Sequence, residues 1–476
     1  MGVRQKAGLG IGQRFAVVAC CGALILPALS PVLAQDSAQD GGLQMTLGVR
    51  STLRSDSNYS LSNPSNGRGT VFDTQLSFGL ISETRNSRLA FTASTTARAA
   101  RLPAPAGSVS GIEDPLFQLN YSREGARSSL TLNARYNRAD LDFVDPLTDQ
   151  VLIADPSAPG GLTLVNATGT RTNLQYGLGF RTGIDMPVGL NLQLNHRELD
   201  YSGTVGPSLY DTQTDSATLG LRFDLTPAMT ANVTLSASDY VARDAASTRR
   251  ENRSLSFGLS QNVSEALNLS ANVGLSRNTT TRLGASTLRE GATFALAATR
   301  NLPTGNVGLS YSRSIDSNGN RDTLRVSHSQ ETQLLSAAMS LGLTRGSSGT
   351  TSIVANANIS RDFARGELSA SLSRGVTTND SLNDVLTTRA NAAYTHNINP
   401  VSSLAFGVTF ARTEDGGTGV TTTTDRSSVN ITYNRALTED WDMSAGFEHR
   451  RLTNTAGTAQ GNAVFVSLGR SFDLRP

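Results

Sequence analysis

Residues 253–277 read RSLSFGLSQNVSEALNLSANVGLSR, and this stretch limits the fold more than any other. Leu255, Phe257, Leu259 and Val263, with Gln261 among them, alternate with Ser254, Ser256, Gly258, Ser260 and Asn262. After the break Ser264-Glu265-Ala266, the residues Leu267, Leu269, Ala271, Val273 and Leu275 alternate with Asn268, Ser270, Asn272, Gly274 and Ser276. A period of two puts successive side chains on opposite faces of a strand, and a short polar break joins two such strands into a hairpin. The unit recurs, with turns near Thr226, Ser264, Pro303, Glu331, Ala364, Pro400 and Thr438. The chain therefore reads as a hairpin array.

The N-terminus has a different character. Arg4, Lys6 and Arg14 precede a short apolar run, Phe15 to Leu29, and Val32-Leu33-Ala34 offers small residues for cleavage. Residues 1–34 read as a secretory signal peptide cut after Ala34, with residues 35–42 as a polar periplasmic tether. Val17-Val18-Ala19-Cys20 loosely matches a lipoprotein box, but apolar sequence continues well beyond Cys20. Both cysteines, Cys20 and Cys21, fall inside the signal, so no disulfide framework is expected. Removing the three signal cations from 41 leaves 38 against 39 acidic residues, a balance that gives no support to a nucleic-acid partner.

After residue 34 no apolar stretch approaches the roughly 20 residues of a membrane helix. Almost every predicted strand is half apolar and half small and polar. An exported chain has one place for a continuous apolar outer face, namely lipid, and there every backbone group must find a partner in a closed barrel. The predicted fold is all-β: a transmembrane antiparallel up-and-down β-barrel over residues 43–474, with about 22 strands (range 16–24) and no separate plug domain. Connections after even-numbered strands are short. Those after odd-numbered strands are longer and rich in Gly, Thr, Ser and Asp, the longest being an external loop over residues 139–170.

The chain resembles bacterial outer-membrane β-barrels. Its last strand carries Ser467-Leu468-Gly469-Arg470-Ser471-Phe472-Asp473-Leu474, in which Ser467, Gly469, Phe472 and Leu474 match the barrel-assembly signal of that class. It departs from the signal by continuing through Arg475-Pro476. The resemblance implies insertion by the barrel-assembly machinery and contact with outer-membrane lipid and lipopolysaccharide. The Ser/Asn/Gly-lined repeats also resemble barrels associated with exopolysaccharide export, with periplasmic export partners unspecified.

Arginine placement follows the same frame. Arg138, Arg277, Arg313, Arg345, Arg374, Arg412 and Arg451 close the apolar face at the outer ends of strands, where guanidinium can hold lipopolysaccharide phosphate. Arg300, Arg361, Arg435 and Arg470 close it at the periplasmic ends. The opposite face, with Ser352, Asn356, Asn358, Ser369, Ser371, Ala405, Gly407 and Thr409, predicts a wet lumen of little fixed charge. In the long loop, Asp140, Asp142, Asp145, Asp149 and Asp155 are candidates for a constriction, because the loop shares its place after strand 5 with the inward-folded loop of general porins. Asp140, Asp142 and Asp145 are alternatively candidates for Ca²⁺, and a solvated external loop is the plain alternative.

Catalytic signatures are missing from the sequence. The residues two after His196, His328, His396 and His449 are Glu198, Gln330, Ile398 and Arg451, which does not match a Ser-His-Asn phospholipase. No phosphate loop, nucleophile elbow or zinc spacing occurs, so neither an enzyme nor a cofactor is expected. The expected function is an outer-membrane channel or export pore for polar solutes or polymer. The alternatives are a structural or adhesive surface protein without transport, and an exported β-solenoid fibre.

Overall fold

The structure, a computed structural model, describes residues 42–104, 107–149, 164, 166–203, 209–415 and 422–474. The first eleven strands are β1 Leu43–Asp56, β2 Gly69–Glu83, β3 Ser87–Arg101, β4 Ser108–Glu124, β5 Ser128–Asp140, β6 Thr170–Thr182, β7 Val188–Ser202, β8 Thr212–Thr226, β9 Met229–Ala242, β10 Arg249–Ser264 and β11 Leu267–Arg282. The rest are β12 Ala285–Leu302, β13 Gly305–Asp316, β14 Gly319–Glu331, β15 Leu335–Arg345, β16 Thr351–Phe363, β17 Gly366–Thr378, β18 Asp384–Asn399, β19 Ser402–Asp415, β20 Thr422–Ala436, β21 Trp441–Asn454 and β22 Gly457–Leu474. Each pairs antiparallel with its sequence neighbours, and β1 pairs with β22, which closes a 22-stranded ring. That closure excludes the β-solenoid fibre, whose sheet would stay open at both ends. The expected signal peptide, and the expected tether apart from Gly42, lie outside the described residues.

Register fixes which way each side chain points. Phe257 faces Val273 across β10 and β11, and Val273 faces Phe294 on β12, a continuous outward row. Val273 is 54% exposed and Leu275 65%, although both are apolar, because this face meets lipid rather than a protein core. On the other face Asn232 and Asn272 converge over Gly258 from the strands on either side.

Two glycines are required by geometry. Gly183, in the turn between β6 and β7, has φ +73°, and a Cβ there would lie 2.1 Å from the Val188 carbonyl oxygen. Gly469 lies opposite Arg50 across the seam, and a Cβ would sit 2.5 Å from Asp442 Oδ1 and 3.0 Å from Arg50 Nη2. Its bare backbone leaves room for the 2.7 Å Arg50–Asp442 ion pair. Ser467 Oγ meets Thr52 Oγ1 at 2.8 Å across the same seam, and Phe472 and Leu474 face outward opposite Leu47 and Met45.

The seam yields a first expectation. Deleting residues 469–476 removes every ladder pair from Arg50–Gly469 to Met45–Leu474 and leaves the Met45–Arg50 half of β1 an open edge. The truncated chain should fail to give the compact, heat-modifiable band of a closed barrel on gel electrophoresis. A normal band would contradict the closure described above.

Candidate functional site

The outer end of the lumen is charged, which corrects the expectation of little fixed charge. In β20 Val429 and Ile431 face out, so Arg426 faces in; in β21 Phe447 faces out and Arg450 faces in. Arg54, Arg98, Arg171, Arg250, Arg321 and Arg389 likewise share the strand parity of the inward Ser and Asn residues. Small neutral side chains dominate the middle of the wall and hid this ring from a reading by composition.

The loop between β5 and β6 folds inward onto that ring. It opens with a 3₁₀ turn, Leu141–Phe143, capped by Asp140, whose carboxylate accepts from the Asp142 N–H at 3.0 Å. Asp114 anchors this start: its Oδ1 accepts from the Asp140 N–H at 2.9 Å, and its Oδ2 meets Arg98 at 2.8 Å. Asp114 has φ 53°, beside the bulge where β3 and β4 slip register, and Pro115 next to it has no N–H for the ladder. Phe143 then lies under the Arg98 guanidinium, 3.8 Å from ring centroid to Cζ, with Tyr59 edge-on at 6.1 Å.

Beyond the turn the loop reaches the far wall. Asp145 lies 3.2 Å from Arg426 on β20 and 3.5 Å from Arg450 on β21. Arg450 also pairs with Asp56 at the end of β1. The Leu147 carbonyl accepts from Arg389 on β18, and Leu147 and Leu164 pack on Ala411 of β19. Arg426 donates to the Leu164 carbonyl at 3.1 Å and to Asn166 Oδ1 at 2.6 Å. On the near wall Asp149 accepts a two-pronged bond from Arg171 of β6, at 2.5 and 2.8 Å. β20 stands seven strands from β5 when counted through the β1–β22 seam, so the loop is a strap across the mouth.

A second bridge comes from the β17–β18 loop. Asp380 pairs with Arg250 of β10 at 2.9 Å and accepts from the hydroxyls of Tyr240, at 2.9 Å, and Tyr210. Arg250 also donates to the Asn379 carbonyl at 2.7 Å. The two bridges differ electrostatically. Burial pushes the Asp145 carboxyl up, but Arg426 and Arg450 outweigh it and hold it below the ordinary carboxylate range. Burial raises Asp380, and its hydroxyl and guanidinium partners offset only part of that rise.

The acidic residues named from sequence thus divide. Asp145 and Asp149 are drawn into arginine pairs, Asp140 and Asp142 shape the turn, and Asp155 lies outside the described residues. Asp145, flanked by two guanidiniums, has no lone charge for Ca²⁺, and among the described residues no cluster of three or more His, Cys, Asp or Glu could hold a metal. Of the outer arginines, Arg138, Arg277, Arg345 and Arg451 are exposed. Arg313 is instead bound to Asp322 at 2.7 and 2.9 Å, Arg412 to Asp425 at 2.6 and 2.8 Å, and Arg374 to Thr388 at 2.7 Å. At the periplasmic ends Arg300, Arg361 and Arg435 are exposed, Arg361 lies 5.0 Å over Phe363, and Arg470 covers Phe472 at 4.3 Å and Trp441 at 5.3 Å. Sequence reasoning missed the inward ring and Asp380. The signal available for the ring was parity, since Arg171, Arg389, Arg426 and Arg450 break the neutral face of their strands.

Known proteins match this architecture in shape alone. A siderophore receptor, PirA from Acinetobacter baumannii, superposes with TM-score 0.54 at 8% identity, covering 92% of this chain and 81% of the receptor. The FrpB iron transporter of Neisseria meningitidis gives TM-score 0.56 at 8% identity, covering 91% and 83%. A ferric enterobactin receptor from Pseudomonas aeruginosa gives 0.54 at 10%, covering 92% and 82%. The fold is that of an outer-membrane β-barrel. No family model and no curated protein matches the sequence. At such identities the likeness carries the barrel and not the receptors' cargo.

Proposed function

We propose that this outer-membrane barrel is a transport channel for polar solutes whose outer mouth is held by its own strap rather than by a separate plug domain. The observation that carries the reading is the crossing of the mouth by the β5–β6 loop, from Arg171 on one wall to Arg389, Arg426 and Arg450 on the other. Beneath the strap the wall is mostly amide and hydroxyl. Asn232 and Asn272 above Gly258, and Asn133 and Asn195 above Gly177, offer hydrogen bonds without charge. Such a lumen suits neutral hydrated solutes or a neutral polymer moving outward, and the barrel likeness to iron and siderophore transporters supports transport in general. Arg138, Arg345 and Arg451 serve as outward lipid contacts, the C-terminal signature engages the assembly machinery, and the cleaved signal delivers the chain.

Conductance across a planar bilayer tests this reading. Asp145 is held below the ordinary carboxylate range, so its contribution to docking is present above that range and lost only as pH falls through the lowered value. Asp380 is raised, so protonating it favours the docked loop over the free one as pH falls. The wild-type channel should therefore stay quiet from pH 7 to about 5 and open only below about pH 4, the ordinary carboxylate value. Full conductance at pH 7, or silence at every pH and after loss of the strap, would contradict the reading. The second of these outcomes favours a surface protein without transport.

A further inference from the structure

The seat of the strap holds more cations than the strap can satisfy. On β5 Tyr136 lies opposite the outward Phe117, so its neighbour Arg135 faces the lumen. Arg135 feels the charges of Asp149 and Arg171, and Arg389 on the far wall feels those of Asp145 and Asp149. With Arg171, Arg426 and Arg450 they bring five guanidiniums to three described carboxylates, Asp56, Asp145 and Asp149. Glu448 is already held by Arg54 at 2.5 Å. Among the described residues Arg389 is bonded to the Leu147 carbonyl and to no carboxylate, and the buried Arg135 Nε has no hydrogen-bond partner.

The bonds that do form are incomplete. Arg171 and Arg426 are fully buried, yet Arg171 Nε, Arg426 Nε and Arg426 Nη2 lack a hydrogen-bond partner, as does Arg450 Nε. Asp145 stands 3.2 Å from Arg426 Nη2 but is not aligned with its N–H. A guanidinium carries five N–H donors in one plane, and a desolvated donor left without an acceptor is costly. One loop carboxylate at each wall cannot fill this set, because the backbone between Asp145 and Asp149 ties their positions together. A ligand with more carboxylates, free of that tether, can.

We infer that the arginine seat beneath the strap binds a small ligand carrying two or more carboxylates, and that Asp145 and Asp149 fill it as the chain's own substitute until such a ligand displaces them. The planar guanidinium forks match carboxylates two-pronged. The excess positive charge draws the anion to the mouth. Its binding frees the strap, so it opens the channel, and the neutral wall below passes other solutes. The inference rests on the strap-held channel proposed above and adds the ligand that regulates it.

Isothermal titration calorimetry of the folded full-length protein in mild detergent, at pH 7 and constant ionic strength, tests the site with the tricarboxylate tricarballylate. Wild type should bind one equivalent. Asp145→Asn with Asp149→Asn should bind it about tenfold tighter, because the internal competitor is gone and every molecule is competent to bind. Arg135→Gln and Arg389→Gln should each bind about tenfold more weakly. Neither takes a guanidinium away from a bonded carboxylate, and heat-modifiable migration checks that both fold. Arg325→Gln, between the outward Leu324 and Val326 on β14, should bind as wild type does. No binding to wild type, no tightening in the asparagine double variant, or equal weakening in Arg325→Gln would each overturn the site. Acetate or inorganic pyrophosphate binding as tightly as tricarballylate would overturn the ligand class. Conductance separates the two readings. Wild type that opens at low pH but not with tricarballylate in the bath defeats the ligand inference alone, whereas a barrel silent at every pH and without its strap defeats the channel while calorimetric binding can still stand.

Discussion

Replacing Asp145 and Asp149 with asparagine is expected to turn a quiet barrel into a conducting, anion-preferring one. Asparagine keeps the shape of aspartate and removes its charge. Arg171 and Arg426 have side chains only 2% and 1% exposed, and each loses its facing carboxylate in the double variant. Breaking a buried pair by removing one partner costs about 3–5 kcal/mol, because the other charge stays desolvated. Among the described residues the bonds left at the far wall are neutral ones, Arg389 to the Leu147 carbonyl and Arg426 to the Leu164 carbonyl and Asn166, beside the apolar seat of Leu147 and Leu164 on Ala411. The strap should leave the mouth, hydrating Arg171, Arg389, Arg426 and Arg450 and giving the entrance a positive potential. Reversal potentials in a salt gradient should then show anion preference. Aspartates lining an open constriction would instead give only a weakened cation preference when replaced. The difference arises because the aspartates face arginines and not the solute path. A double variant that stays quiet, or that conducts cations, would contradict the strap.

The other large effect concerns two residues adjacent in sequence. Val273 points to lipid and Asn272 to the lumen, opposite Gly258. Val273→Arg should destabilise the barrel by about 2–4 kcal/mol if the side chain lies near the bilayer midplane, since its charge has no water there. Asn272→Arg should be nearly neutral, because a long side chain can extend into a wet lumen. Urea unfolding in lipid vesicles measures both. Equal destabilisation would mean that the register of β11 is displaced by one residue, since a single-residue slip exchanges the two faces.

Much of the barrel was legible in sequence for one reason: lipid on one side and water on the other force a period of two. β11 shows this from Leu267 to Leu275, the part of the strand that meets lipid. The weak stretch around β4 shows the limit. Glu113-Asp114-Pro115 interrupts the alternation, and there the strand bulges and turns Asp114 inward to Arg98. The strap was legible as a long acidic loop, but its partners were not. Asp145 and Arg450 are 305 residues apart in sequence, and only ring closure brings them together. Arg426 and Arg450 could be flagged from parity as arginines on a neutral face, but nothing local to them names Asp145. Asp380 is a lone aspartate in a turn until Tyr210, Tyr240 and Arg250 surround it.

The strap lies across the lumen where Asp145 meets Arg426, and a cross-link at that contact tests it. The only cysteines, Cys20 and Cys21, precede the barrel, so cysteines introduced by Asp145→Cys and Arg426→Cys can be joined selectively. A short bifunctional maleimide applied to the folded protein should cross-link the pair, and the linked channel should stay closed in a planar bilayer. The same double variant without the reagent, having lost its ion pair, should conduct. Failure of the pair to cross-link in folded barrels, or equal conductance with and without the cross-link, would contradict the account.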